Sequence, residues 1–245
     1  MEPRNAALAR AVGRSGRVAH NRDDLAAAAD ATRLRADRPR LGALSRILVG
    51  QSAAGAVDRI LGAEAIDEGQ KRLAAEVVEF DDRMGDRLPR ERRYLYAQLL
   101  DRAPRLIKRT ESRRGVTVTH GDAHVWNCFL PRDGGSDVRL FDWSEWDLGV
   151  ATQDLAYMMA VHWYPDRRRR MERSLLDVYH AALLMHGVND YDRQALDDDY
   201  RLSALWHVAT PIWQAGFNVP TVIWWNNLER IHMAIEDLGC RELLE

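Results

Sequence analysis

The chain carries His120-Gly121-Asp122-Ala123-His124-Val125-Trp126-Asn127, followed by Phe141-Asp142-Trp143. Asn127 lies five positions after Asp122, and Asp142 fifteen beyond Asn127. These residue types suit phosphoryl transfer from a nucleotide. One carboxylate orients and deprotonates an attacking hydroxyl, while an amide oxygen and a second carboxylate hold Mg²⁺. Asp122 would take the hydroxyl proton, with most of the gain coming from positioning and charge neutralisation rather than from strong basicity. Mg²⁺ takes oxygen ligands and keeps several waters, so Asn127 and Asp142 plus phosphates suffice. An isolated Asp after a strand is usually a turn residue. His120, His124 and the spacing to Asn127 set Asp122 apart from that reading.

Short strands must present these groups. Val116-Thr117-Val118-Thr119 is a β-branched run leading into the His120–Asn127 loop. Residues 128–130 and 138–141 read as two strands of a hairpin turning through Arg132-Asp133-Gly134-Gly135-Ser136. That hairpin would bring Asn127 and Asp142 to one side of a cleft. Apolar spacing predicts a helix ending near Gly85 and another from Pro89 to Arg109, bent at Pro104. Beyond Gly149 it predicts helices over 152–162, 167–186, 192–215 and 221–238, broken at Pro165-Asp166, Gly187 and Pro220. The expected fold class is mainly α with a small central β-hairpin.

Together with Gly149-x-x-x-x-Asp154-Leu155-Ala156, the motifs resemble the aminoglycoside phosphotransferase and choline kinase-like family, which has the protein-kinase-like fold. The resemblance covers residues 41–245, that family's helical C-terminal lobe. It implies Asp122 as catalytic base and Asn127 and Asp142 as Mg²⁺ ligands. It also implies Asp154 as a buried anchor for the catalytic loop, and Glu145 as an acidic residue near the metal. His120 and His124 would brace the loop. The implied activity moves the γ-phosphoryl group of ATP, with Mg²⁺, to a hydroxyl of an aminoglycoside, aminosugar or amino alcohol.

The sequence departs from that family in one respect. A complete member has an N-terminal lobe with a glycine-rich loop and a strand Lys that pairs with the phosphates. Lys71 and Lys108 are the only lysines here, and neither has that context. Gly50 to Gly55 has P-loop glycine spacing, but Ala56-Val57 stand where Lys-Ser/Thr is required. Residues 1–40 read as an irregular or helical segment without family resemblance. The expectation is a missing ATP-binding lobe, through truncation, a frameshift or a misplaced start. The alternative is a catalytically inactive kinase-like remnant or small-molecule binding module.

Composition narrows the other classes. A net charge of -2 favours neither nucleic acid nor an anionic membrane, although residues 1–50 hold ten Arg against five acids. Cys128 and Cys240 lack metal-ligand spacing and read as reduced thiols. With no long apolar run and no apolar signal region, the expectation is a cytoplasmic protein whose partner is a small hydroxyl-bearing acceptor. A metal-dependent hydrolase built on His120, Asp122 and His124 is disfavoured, because a zinc pair four residues apart needs a helix and an intervening Glu. Asp197, Asp198 and Asp199, near Trp206, Trp213, Trp224 and Trp225, would suit a cationic acceptor. The Arg167–Arg170 run reads as a solvated helix face. Nothing in the sequence fixes the oligomeric state.

Overall fold

Two long helices open the described chain, α1 (Ala63–Met84) and α2 (Arg90–Glu111). Phe80 and Met84 of α1, and Leu95, Tyr96, Leu99 and Ala103 of α2, are buried at the three- and four-residue spacings that make one apolar stripe per helix. Gly85 takes a left-handed backbone just past α1, and Pro104 stays inside a continuous α2. The computed structural model describes residues 63–111, 114–132 and 138–245. The expectations for the 1–40 segment, the Gly50–Gly55 spacing and the turn at 133–136 lie outside the described residues.

Four short strands follow: β1 (Val116–Thr119), β2 (Cys128–Phe129), β3 (Arg139–Leu140) and β4 (Asp147–Val150). The expected hairpin is β2 against β3, antiparallel, with Cys128 opposite Leu140 and Phe129 opposite Arg139. A second antiparallel pair was not expected. β1 pairs with β4, from Val116 opposite Val150 to Thr119 opposite Asp147. Thr119 leads directly into the His120 loop and Asp147 directly follows the Asp142–Trp146 segment. The β1–β4 ladder therefore brings those two loops together, while β2–β3 brings Asn127 beside Phe141.

The rest is helical. α3 (Gln153–Ala156) runs into one π turn, Tyr157–Val161. α4 (Pro165–Met185) starts with Pro165 in its first turn, after an extended Tyr164, and ends before a left-handed Gly187. Asp192 caps α5 (Arg193–Trp206) by accepting the Ala195 N–H at 2.7 Å. The single helix expected over 192–215 is divided. A 3₁₀ turn at His207–Ala209 precedes α6 (Thr210–Gly216). Pro211 supplies the reason: it has no N–H to give and its ring crowds the preceding turn, so the chain restarts with Pro in a first turn. α7 (Thr221–Asp237) and a 3₁₀ segment, Cys240–Leu244, complete the chain.

The core forms where α3 and its π turn pack against α5 and α7. Ala156, Met159, Ala160 and Val161 meet Leu196 and Leu205 of α5 and Leu228, Ile231 and Ile235 of α7, all buried. This loss of apolar surface to water is the main force holding the site's scaffold. Trp224 belongs to the same core, edge-on to Phe80 at 5.9 Å. The Arg167–Arg170 run is not wholly solvated as expected. Arg168 is 2% exposed and bonds Glu172 and Asp237, while Tyr200 donates to Glu172 at 2.6 Å. Among the described residues, no helix is long and apolar enough to cross a membrane.

Candidate active site

The His120–Asn127 loop is held from below by Asp154 of α3. One carboxylate oxygen accepts the His120 N–H at 2.7 Å and the other accepts the Gly121 N–H at 3.0 Å. Burial raises the Asp154 pKa, and those two backbone donors oppose the rise. Gly121 sits at φ +79°, and a Cβ there would lie 1.9 Å from the Glu145 carbonyl oxygen. Only glycine fits that approach.

His120 is fully engaged. Its Nδ1 faces the Asp122 N–H at 3.2 Å and must accept, so Nε2 carries the proton and donates to the Phe141 carbonyl at 2.9 Å. Its ring also packs on Trp143, with centroids 4.6 Å apart. Neither nitrogen is left to bind a metal. The hydrolase arrangement of His120, Asp122 and His124 therefore does not form, and among the described residues no three His, Cys, Asp or Glu side chains gather into a metal cluster.

The Asp122 carboxylate is clamped at both oxygens. Tyr157 donates its hydroxyl to Oδ1 at 2.7 Å, and Asn127 Nδ2 donates to Oδ2 at 2.8 Å. Asn127 Nδ2 also reaches the Asp122 carbonyl at 3.0 Å. The 3₁₀ turn Val125–Asn127 makes this possible by folding Asn127 back over the loop, its N–H on the His124 carbonyl at 2.9 Å. His124 Nε2 lies 3.4 Å from Asp122 Oδ2.

Two oxygen acceptors on one amide nitrogen fix the orientation of Asn127, so its Oδ1 points away from Asp122. That oxygen takes no hydrogen bond from the described residues. Asp142 stands close by in sequence register, because the Phe141 N–H donates to the Asn127 carbonyl at 3.1 Å. Asp142 has a left-handed backbone, φ 61°, and is exposed. Ser144 donates to its Oδ1 at 2.9 Å, leaving Oδ2 for another partner. An amide oxygen and a carboxylate on adjoining chain segments fit the needs of Mg²⁺. Glu145 is exposed, and its backbone carbonyl is the one that Gly121 approaches.

Three groups at this site carry no motif. Tyr157 is one; His162 and His207 flank it, with ring centroids 4.7 Å and 5.3 Å from Tyr157. Burial, reinforced by His124, Arg230 and His207, pushes His162 down to about 3. Burial pushes His207 down to about 4 against the Gln153 carbonyl. Both imidazoles are neutral at pH 7. Tyr157 lies three residues after Asp154, one helical turn along, and that spacing was the available signal for it.

The acids expected to favour a cationic acceptor are occupied elsewhere. Asp199 is buried against Arg109, at 2.7 Å, and Tyr191, at 2.6 Å; Asp197 pairs with Arg193 and Asp198 accepts from Gln194. Trp224 is core, and Trp206 and Trp225 pack against the core.

A family model, the ecdysteroid kinase-like family, matches residues 55–187, more than half of the chain, including the stretch from His120 to Ala156. The chain belongs to the ecdysteroid kinase-like family. This family is kinase-like and related to choline kinase and the aminoglycoside phosphotransferases, so the resemblance holds at that level and the aminoglycoside family itself is not the one matched. The mostly helical architecture fits a kinase-like C-terminal lobe. Kinase-like families generally use ATP and Mg²⁺. No curated protein matches the chain.

Proposed function

We propose that this ecdysteroid kinase-like chain transfers the γ-phosphoryl group of ATP to a hydroxyl of a small molecule, with Asp122 as the base. The observation carrying this reading is the two-sided clamp on Asp122, set beside an Asn127 oxygen and an Asp142 oxygen that take no hydrogen bond from the described residues. The acceptor oxygen would bond to the γ-phosphorus as the bond from that phosphorus to the ADP oxygen breaks. The hydroxyl proton would pass to Asp122. Asn127 Oδ1 and Asp142 would hold Mg²⁺, which when bound neutralises charge on the transferring phosphate. His120 and Asp154 keep the loop backbone still, so that Asp122 approaches the hydroxyl in one orientation.

The acceptor is a small alcohol. With Asp197, Asp198 and Asp199 engaged elsewhere, nothing at the loop ties the reading to an amine. The test is ADP release from Mg-ATP across a panel of amino alcohols, aminosugars and neutral polyols, comparing wild type with Asp122→Asn. Turnover with at least one alcohol that falls about 100-fold or more in Asp122→Asn supports the reading. Turnover that survives the substitution, or none with any compound, overturns it.

A further inference from the structure

Asp122 is one end of a longer chain of polar groups. Asn227 of α7 is buried and donates its Nδ2 to Gln214 Oε1 of α6 at 3.0 Å. With Oε1 taken as acceptor, the Gln214 nitrogen is the end left to donate, and Gln214 opposes the rise in the Tyr157 pKa, the sign that a donor towards the phenol oxygen has. Tyr157 in turn donates to Asp122 Oδ1 at 2.7 Å. Arg230, one turn after Asn227, adds its guanidinium to the Asn227 Oδ1 at 3.4 Å and to the His162 carbonyl at 3.2 Å. The Asn227 donor points from α7 to α6 and the Tyr157 donor points to the loop, where the last acceptor is a carboxylate.

The backbone is shaped for this contact. Tyr157 is the first residue of the π turn Tyr157–Val161, where the helix departs from regular α geometry. Such departures cluster at functional sites, where they redirect side chains. Here the turn carries Tyr157 towards Asp122 while Met159, Ala160 and Val161 stay in the core. A buried amide pair such as Gln214 and Asn227 is costly to place in a core unless each polar atom is satisfied. A purely apolar contact between α6 and α7 would have served packing alone.

We propose that Tyr157 is a positioning residue for Asp122, and that Gln214, anchored by Asn227, orients Tyr157. This rests on the reading of Asp122 as the base. Tyr157 fixes one carboxylate oxygen and Asn127 the other, so the carboxylate cannot rotate about its own bond. The oxygen facing the acceptor hydroxyl then keeps one direction throughout turnover. Hydrogen bonds in such a series polarise one another, so the donor to Asp122 is strengthened from behind.

The experiment compares Tyr157→Phe, Gln214→Met, the double variant and Asp122→Asn in the full chain. Phe retains the ring and its contacts with His124, His162 and His207. The assay is Mg-ATP turnover with the best alcohol from the panel above, or with water as acceptor. The expected result for Tyr157→Phe is a kcat lower by about 10- to 100-fold, the rate equivalent of one hydrogen bond to a charged group, with KM for ATP held. Gln214→Met gives a smaller fall, and the double variant matches Tyr157→Phe alone, because Gln214 acts through Tyr157. Multiplying effects, or a raised KM at constant kcat, overturn the proposal. Asp122→Asn inactive beside an unchanged Tyr157→Phe refutes this proposal alone. Asp122→Asn as active as wild type refutes the base assignment and this proposal with it.

A readout free of activity accompanies these. The Asp122 carboxyl carbon resonance in ¹³C-labelled protein, identified by its loss in Asp122→Asn, should shift in both Tyr157→Phe and Gln214→Met. An unmoved resonance in either variant overturns the proposal.

Discussion

Acidification from pH 7 to pH 5.5 should destabilise this fold strongly, and three histidines set the size of the effect. His162, His207 and His232 are pushed down to about 3, about 4 and about 3 respectively, with burial the leading cause in each. Arg92 and Arg241 add to the effect at His232, whose Nε2 lies 3.3 Å from the Tyr96 hydroxyl. Unfolded, each imidazole takes a proton near its ordinary value of about 6.5. Folded, each stays neutral until the pH is far lower. Between those limits the unfolded chain binds more protons, so stability rises with pH and is lost as pH falls.

Each such histidine costs about 1.2 kcal/mol between pH 7 and pH 5.5, and the three together about 4 kcal/mol. Asp147 and Asp154, whose burial raises their pKa, act with the opposite sign, towards the acid end of that window. Glu229 and Asp237, held down by Arg92 and Arg169, lose their contribution only below the ordinary carboxylate range. Urea unfolding at pH 7, 6.2 and 5.5 measures the sum, with the midpoint expected to fall by about 1.5 M. His232→Gln should remove about a third of the slope. A pH-independent midpoint, or imidazole C–H resonances of all three titrating near pH 6.5, would refute the reasoning.

Two further substitutions probe the scaffold. Asp154→Ala strips the acceptors from the His120 and Gly121 N–H groups, and should cost about 2–4 kcal/mol in urea unfolding and abolish Mg-ATP turnover. Wild-type turnover in that variant would show that the loop holds itself. Arg168→Ala leaves Glu172 buried without its cation and should cost about 3–5 kcal/mol; a loss under about 1 kcal/mol would mean the network is no stronger than a surface pair.

Much of the candidate site's arrangement was legible because its residues are local in sequence. Asp122, Asn127 and Asp142 carry their spacing with them, and the hairpin that joins Asn127 to Phe141 follows from β-branched and apolar runs around a glycine turn. What escaped was long-range. β4 opens on Asp147 and contains Gly149, so it lacks a strand pattern until β1 is there to pair with it. Tyr157 could have been suspected from Asp154, but its orientation depends on a π turn that no residue type announces. Gln214 and Asn227 stand 57 and 70 positions from Tyr157, and read as ordinary helix residues. The division of α5 from α6 was readable at Pro211 and was missed, because the apolar periodicity runs through it. The acids at Asp197 to Asp199 misled for the same reason: their partners lie in other elements, including Arg109 in α2.

The close approach at Gly121 has a mechanical meaning for the site. With no side chain between Gly121 and the Glu145 carbonyl, the segment bearing Asp122 and the segment bearing Asp142 touch main chain to main chain. Their separation is set by atomic radii and not by how any side chain happens to pack. Repacking of the surrounding helices can tilt or carry the pair, but it moves both segments as one piece. The spacing of the Asp122 and Asp142 segments is therefore insulated from the kind of core substitution that sequence drift most often brings.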